Sequence, residues 1–449
     1  MDYNILREND IRGNYPNQVN EDVALKIGKA FGYYLNDLNI NKCIIGHDNR
    51  LSSEELSNSL IDGIISSGID VYDLGLVTTP MFNYASITNK IPYGIMVTAS
   101  HNIASDNGFK IFGENYLHLS QEELQIFYDL IKSGVFVDGK GNLNFIDIKN
   151  DYVNMIVSKF PKLNKRVVID CGNGTASIVI KNILSKLIYD VSYINCESDG
   201  SFPVHNPDPN VEENLKWLKA MVKLKHADVG LAVDGDCDRV GIVDENGNMI
   251  STDYLIGIFA NDIIPKNSNK KVIIDVKCSI ALEHDINKIG GKSIMVKNGS
   301  AYLEKVIHDT PALIGGEYSG HIFFRDDFYG FDDGIYAALR LVKLLTEKNT
   351  KCSLLSADME KYASTPEIRI NVSDNIKKSV VNRIKDYCIK KDYKCNFADG
   401  VRINYDDGFA LIRCSNTGPY LTLRFEASNE IDLNLRKEEF MSLVNDYTK

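Results

Sequence analysis

The sequence predicts an α/β protein of three similar α/β domains followed by a smaller α+β domain. Three observations lead there. A weak internal repeat sets a basic residue, an apolar run and a polar turn at Lys42 (KCIIGHD), Arg166 (RVVIDCG) and Lys271 (KVIIDVK). Helix-period stretches at 54–67, 176–187 and 335–345 lie between the apolar runs, as the crossovers of a largely parallel sheet require. In each repeat a later apolar run ends in a polar loop: GIMV in TASHN, VGLAV in DGDCDR and ALI in GGEYSGH. Open α/β sheets bind their ligands in such loops, at the carboxyl ends of strands.

Changes of pattern place the domains at 1–147, 148–249, 250–363 and 364–449. The last differs from the others. After Ser364-Thr365-Pro366 it reads as a strand in EIRINV, a helix over 377–391 and short strands at 408–413 and 420–427. A chain of 449 residues needs several cores, because one core rarely grows beyond about 250–300 residues.

Composition excludes several classes. A net charge of -11 disfavours non-specific nucleic-acid binding, so an anionic substrate must be drawn by local basic clusters. No apolar run approaches the ~20 residues that span a bilayer, and MDYNILREND has no apolar signal region. The expectation is a cytoplasmic protein with neither a membrane nor a nucleic-acid partner. Nine scattered cysteines without a C-x-x-C argue against a disulfide framework and a zinc site.

The loop after VGLAV carries Asp234, Asp236 and Asp238 at alternate positions. Three carboxylates so close repel one another unless they share a hard cation, and Mg²⁺ and Ca²⁺ take oxygen ligands. An EF-hand begins the same way and Glu245 falls at its twelfth position, but Arg239 stands where its sharp turn needs glycine. A phosphatase using Asp234 as nucleophile and a solvated acidic turn both remain open. Ser100 in TASHN reads as a nucleophile or phosphate carrier, or as the cap of a following helix. No G-x-S-x-G surrounds it, which leaves a hydrolase triad little support.

TASHN, DGDCDR, GGEYSGH and RCSNTGP occur in that order, one per domain. With RENDIRG at 7–13, GHDNRLSS at 46–53, FPVHNPDP at 202–209, GFDDG at 330–334 and LRFEA at 423–427, they make the chain resemble the α-D-phosphohexomutase superfamily. The likeness covers nearly the whole length and lies with its phosphomannomutase/phosphoglucomutase branch.

That resemblance implies four domains with mixed sheets around a central cleft, bearing in order the phosphoserine, the metal, the sugar contacts and the distal phosphate contacts. Ser100 would carry a phosphoryl group, and Asp234, Asp236 and Asp238 would bind Mg²⁺ together with the Ser100 phosphate. Lys110, Arg239 and His321 would complete the catalytic set. Glu317 and Ser319 would read sugar hydroxyls, and Arg413, Ser415, Asn416 and Thr417 would wrap the non-reacting phosphate. Arg12, Lys277 and Arg424 would be further basic contacts, each with a plain surface charge as its alternative.

The implied activity interconverts hexose 1-phosphate and 6-phosphate through glucose or mannose 1,6-bisphosphate, in a monomer or weak dimer whose partners are small sugar phosphates. Phosphoglucosamine mutase, a Mg²⁺-dependent sugar phosphatase and a silent sugar-phosphate binder are the alternatives. Departures from the family pattern are His47 for Arg, Asn9 for Tyr, Ile103 for Pro, Ser300 for His and Gly418 for an acidic or hydroxyl residue.

Overall fold

The structure is a computed structural model that describes residues 1–415 and 418–448. The chain forms two compact units. One comprises 1–250, 319–322 and 331–354; the other comprises 251–318, 323–330 and the residues from 355 onward.

The first unit contains two sheets. The first is built from β1 (Ile11–Asn14), β2 (Lys42–His47), β3 (Asp70–Leu76), β4 (Gly94–Val97), β5 (Asp106–Phe112) and β6 (Leu143–Phe145), in the order β1-β5-β4-β2-β3-β6. The second uses β7 (Leu163–Asp170), β8 (Ile188–Ile194), β9 (Val229–Val233), β10 (Val240–Asp244) and β11 (Met249–Ile250), in the order β11-β10-β9-β7-β8.

The second unit, which holds all of the next sheet except Ile322, repeats the plan with β12 (Lys271–Asp275), β13 (Lys292–Val296), β14 (Ile314–Gly316) and β15 (Ile322–Phe324), ordered β13-β12-β14-β15. Its last sheet differs. There β16 (Ala363–Ser364), β18 (Cys395–Asn396), β19 (Val401–Tyr405), β20 (Gly408–Cys414) and β21 (Tyr420–Ala427) run β16-β21-β20-β19-β18, and β17 (Ile368–Asn371) also pairs with β21. These strand pairs are antiparallel. The fold is therefore α/β in three similar parts with mixed sheets, completed by a smaller α+β part.

The three repeat segments take equivalent places. β2, β7 and β12 each lie between two parallel neighbours. Both faces of such strands are covered, which is why they read as continuous apolar runs. The neighbour β4, β9 or β14 then ends in the polar loop, and in the first two sheets the chain returns antiparallel as β5 or β10.

Two of the three expected helices fall where the periodicity predicts. The stretch 54–67 is helical over Ser53–Ile65, and 335–345 over Gly334–Glu347, where the Asp333 side chain accepts from the Tyr336 N–H. The stretch expected at 176–187 is broken: a short 3-10 turn, Thr175–Ile178, precedes the α-helix Ile180–Leu187, because Val179 at φ -129°, ψ -23° leaves the helical region. Helix Gly334–Glu347 packs on β7, β9 and β10, which makes 331–354 part of the first unit. Among the described residues no helix is long and apolar enough to cross a membrane.

Candidate active site

Ser100 lies in the loop between β4 and β5. These are antiparallel neighbours, with Val97 opposite Phe109, so the loop leads into a strand and the helix-cap reading of Ser100 falls. Ser100 is buried and has a φ of 50°, in the left-handed region that costs a non-glycine residue about 1–2 kcal/mol. Its surroundings hold it there. The Ser100 N–H donates to Thr98 Oγ1 at 2.8 Å, and its carbonyl accepts from Arg50 at 2.8 Å. Arg50 also donates to the carbonyls of Asn102, Ile103 and Asp106 and to Asp48 Oδ2, at 2.6–3.1 Å. A guanidinium offers five N–H donors in a fixed plane, which suits one side chain to fastening a whole loop.

The three aspartates lie in the turn joining β9 to β10, whose strands pair antiparallel at Val233 and Val240. A hairpin between buried strands has no resemblance to the two helices of an EF-hand. Asp234, Asp236 and Asp238 are all buried, and one carboxylate oxygen from each lies within 4.8 Å of the others. Gly235 lets this turn approach the Ser100 loop, since a Cβ there would meet the Ser100 carbonyl oxygen at 2.6 Å. Ser100 Oγ consequently donates to Asp234 Oδ2 at 2.8 Å.

Lys110, on β5, reaches the same cluster. Its ammonium donates to Asp236 Oδ2 at 2.6 Å and to Asp238 Oδ2 at 2.5 Å. Burial pulls the Lys110 pKa down, but the two carboxylates outweigh it and hold the amine charged, above its ordinary value. Burial pushes the Asp236 and Asp238 pKa values up; Lys110, together with Thr79 at Asp236 and Arg239 at Asp238, brings both below the usual range. Asp234, by contrast, is raised well above it by burial and by its two like-charged neighbours. Asp236 Oδ1 and Asp238 Oδ1 remain buried without a hydrogen-bond partner. Orphaned carboxylate oxygens of this kind carry a desolvation cost of ~1–3 kcal/mol each, and a hard divalent cation relieves it. The donor set fits Mg²⁺: oxygens alone, from three carboxylates beside a serine hydroxyl.

Arg239 and His321 close one side. The Arg239 N–H donates to Asp234 Oδ1 at 3.1 Å, and its Nε lies 3.8 Å from Asp234 and 3.9 Å from Asp238, so it is no surface charge. Arg239 Nε also donates to His321 Nε2 at 2.9 Å. Because arginine can only donate, Nε2 is the acceptor and the imidazole proton sits on Nδ1, 2.6 Å from Asp332 Oδ2. His101 Nδ1 lies 3.3 Å from Ser100 Oγ; burial and then the positive charge of Arg239 drive the His101 pKa well below its ordinary value. Arg12 donates to Asp10 at 2.7 Å, Asn102 Oδ1 at 3.1 Å and the Ala99 carbonyl at 3.2 Å, which ties it to the serine loop. Ser319 belongs to this unit too, its carbonyl accepting from Asn210 Nδ2.

The remaining basic candidates lie in the second unit. Lys277 pairs with Glu367 at 3.4 Å; burial lowers the lysine pKa, and Glu367, Asp275 and Glu317 together more than restore it. Arg424 donates to the Lys277 carbonyl, approaches Asp253 at 3.4 Å and lies 3.8 Å over the Tyr318 ring. It is buried among these partners, which departs from the surface-charge alternative. Arg413 Nε donates to Asp399 Oδ2 at 2.7 Å, and the same oxygen accepts from the Asn298 N–H at 3.1 Å. Glu317 accepts from the Gly299 N–H. Ser415 Oγ accepts from the Gly418 N–H at 3.1 Å, and Asn416 and Thr417 lie outside the described residues.

Comparison with known proteins agrees along the whole chain. Residues 4–137, 145–247 and 251–362 match phosphoglucomutase/phosphomannomutase alpha/beta/alpha domains I, II and III, and residues 367–443 match the C-terminal domain of that family. The phosphomannomutase/phosphoglucomutase of Pseudomonas syringae pv. tomato is 39% identical over 96% of this chain and 92% of its own length. The chain belongs to the phosphoglucomutase/phosphomannomutase family. A phosphoglucomutase from Neisseria meningitidis is 35% identical, covering 98% of this chain and 96% of its own. The crystal structure of a phosphoglucomutase/phosphomannomutase family protein from Burkholderia thailandensis superposes with a TM-score of 0.91 at 33% identity, covering 100% of this chain and 98% of that one.

Four residues of this family member that shape the site were not singled out by sequence. Thr79 Oγ1 donates to Asp236 Oδ2 at 2.7 Å and its N–H to the Asp236 carbonyl at 2.9 Å. Arg50 fastens the serine loop, and Asp332 fixes the His321 tautomer. Lys377 donates to the carbonyls of Ser415 and Gly418 at 2.9 and 3.2 Å. Arg50 and Asp332 sit inside GHDNRLSS and GFDDG, and Thr78-Thr79-Pro80 marks a helix start; none of these signals names the distant partner.

Proposed function

We propose that this phosphohexomutase interconverts hexose 1-phosphates and 6-phosphates, with Ser100 as phosphoryl carrier. The observation that carries the reading is the buried Ser100 hydroxyl 2.8 Å from Asp234, beside a three-carboxylate cluster with two orphaned oxygens. In the first half-reaction the free sugar hydroxyl attacks phosphorus, the bond to Ser100 Oγ breaks, and the hydroxyl proton passes to a neighbouring base. The product is a hexose 1,6-bisphosphate. It turns end for end, and Ser100 takes back the other phosphoryl group.

Asp234, Asp236 and Asp238 would hold Mg²⁺, which when bound neutralises charge on the transferring group. Lys110, charged and buried, steadies the phosphoryl oxygens, and Arg239 adds a second cation at the same place. His321, oriented by Asp332, is the proposed proton-transfer group. Both oxygens of Asp234 already accept, from Ser100 and from the Arg239 N–H, which favours a supporting role over that of a phosphatase nucleophile.

For the substrate we assign Glu317 and Ser319 to the sugar hydroxyls, with Arg413, Ser415, Asn416 and Thr417 on the distal phosphate. Lys277, Arg12 and Arg424 are additional basic contacts. Domains spanning 1–147, 148–249, 250–363 and 364–449 would carry these tasks in turn, in a cytoplasmic monomer or weak dimer activated by glucose or mannose 1,6-bisphosphate.

The test is intact mass and peptide mapping before and after incubation with glucose 1,6-bisphosphate. One phosphate on Ser100, absent in Ser100→Ala together with mutase turnover, is the expected result. A stable phosphate on Asp234 with release of inorganic phosphate would replace the mutase by a phosphatase.

A further inference from the structure

Cys171 is the first residue past β7, and Cys196 is the second past β8. β7 and β8 are parallel neighbours with Asp170 opposite Ile194, so both cysteines emerge at the same edge. Their sulfurs are 2.9 Å apart, within about 1 Å of the ~2.05 Å of a bonded pair. Both are free thiols, Cys171 wholly buried and Cys196 retaining 5% of its surface. The mechanism uses neither.

The segment after Cys171 touches the metal loop. The Thr175 N–H and hydroxyl both donate to the Gly235 carbonyl at 2.9 Å, and Gly174 packs so closely that a Cβ there would meet Gly235 Cα at 2.9 Å. Gly235 in turn lies against the Ser100 carbonyl. The chain from Cys171 to Thr175 is thus a backing for the turn that presents the three aspartates.

We propose that Cys171 and Cys196 are a modification site: a dithiol that peroxide converts reversibly to an intrachain disulfide, displacing the backing of the metal loop and slowing turnover. The Cys196 sulfur attacks the O–O bond of hydrogen peroxide, giving a sulfenic acid and one water. The Cys171 sulfur then displaces the hydroxyl as a second water and closes the S–S bond. Two thiols lose two electrons in all, and the peroxide takes them up. Burial, and then the hydrogen bond from Cys196, push the Cys171 thiol well above its ordinary pKa, so little of it is thiolate and closure is slow. Drawing the sulfurs together moves the 171–175 segment by up to ~1 Å, a displacement that can cost an active site about a hundredfold in rate.

Formation of the bond does not depend on the mutase reading; its effect on turnover does. The full-length protein is treated with hydrogen peroxide for hours, then its free thiols are counted under denaturing conditions and its peptides mapped without reduction. The expected result is a loss of two thiols, one cross-linked peptide joining Cys171 and Cys196, and mutase activity reduced at least ~10-fold. Dithiothreitol should restore both. Cys196→Ser and, should it fold poorly, Cys196→Ala should keep their activity through the same treatment. Absence of the cross-linked peptide overturns the site, and a cross-link that leaves activity unchanged overturns the switch. Equal inactivation of the Cys196 variants assigns the loss to another residue and also overturns it. Untreated protein without mutase turnover would refute the proposed function while the peptide map still decides the bond.

Discussion

The guanidinium of Arg50 donates to the backbone carbonyl of Ser100 at 2.8 Å, so the proposed phosphoryl carrier is held through its main chain by a side chain fifty positions upstream. That guanidinium also lies 5.0 Å from the centre of the Phe202 ring. The left-handed backbone of Ser100 is thus sustained by a buried cation that bonds its carbonyl rather than its hydroxyl.

Arg50→Lys keeps the charge and loses the planar set of donors. We expect a loss of about 1–3 kcal/mol in urea unfolding and a fall in kcat of at least ~10-fold with KM little changed. Unchanged kcat in a folded variant would show that the serine loop keeps its shape without these bonds.

Asp236 joins Thr79 and Lys110 and offers one orphaned oxygen. Asp236→Asn should lower kcat about a hundredfold or more while substrate affinity changes far less, with excess Mg²⁺ rescuing only part of it. EDTA should abolish wild-type activity, and Ca²⁺ should occupy the site yet support turnover poorly. Full activity in EDTA would remove the metal from the mechanism.

His205 Nε2 lies 3.2 Å from Asp170 Oδ2. Burial lowers the His205 pKa, but the hydrogen bond and charge of Asp170 outweigh it, leaving the folded value above the ordinary one. Folding therefore favours the protonated form. This contribution is fully present below the unfolded pKa of about 6.5 and is lost as pH rises through the higher folded value. The difference in unfolding free energy between wild type and His205→Asn should be larger at about pH 6 than at about pH 9. Urea titrations at the two pH values measure it; a difference that grows with pH would contradict the assignment.

Arg413 pairs with Asp399, which also accepts from the Asn298 N–H. Arg413→Ala should weaken binding of hexose phosphate and bisphosphate about 10- to 100-fold, the size of one or two charge-assisted hydrogen bonds. The loss should be greatest at low salt, where the wild-type attraction is strongest. Calorimetry at two ionic strengths checks this, and equal affinities would remove Arg413 from the phosphate site.

Mannose and glucose phosphates should both be substrates, because Glu317 and Ser319, in the proposed role of sugar readers, would address hydroxyls the two epimers share. The ratio of kcat/KM should lie within about a hundredfold, or ~3 kcal/mol. A thousandfold preference, or a clear preference for glucosamine phosphate, would reveal a contact at C2 from a further residue.

Sequence alone determined the plan of the chain and its principal loops. β2, β7 and β12 are apolar runs covered on both faces, β9 is buried at every position, and Asp234, Asp236 and Asp238 are close in the chain itself; local pattern is enough for such features. What local pattern cannot hold is pairing across distance. Lys110 meets Asp236 126 positions away, Thr79 meets it across 157, and the charge state of each carboxylate depends on those meetings. The same reason hid the loop after Val97: a polar run after a buried strand leads equally well to a helix or a returning strand, and only pairing of Val97 with Phe109 decided for the strand. The bond from Arg239 to His321, the hold of Arg50 on Ser100 and the two sulfurs at 2.9 Å are likewise products of tertiary contact, because partners distant in sequence are brought together only by the folded chain.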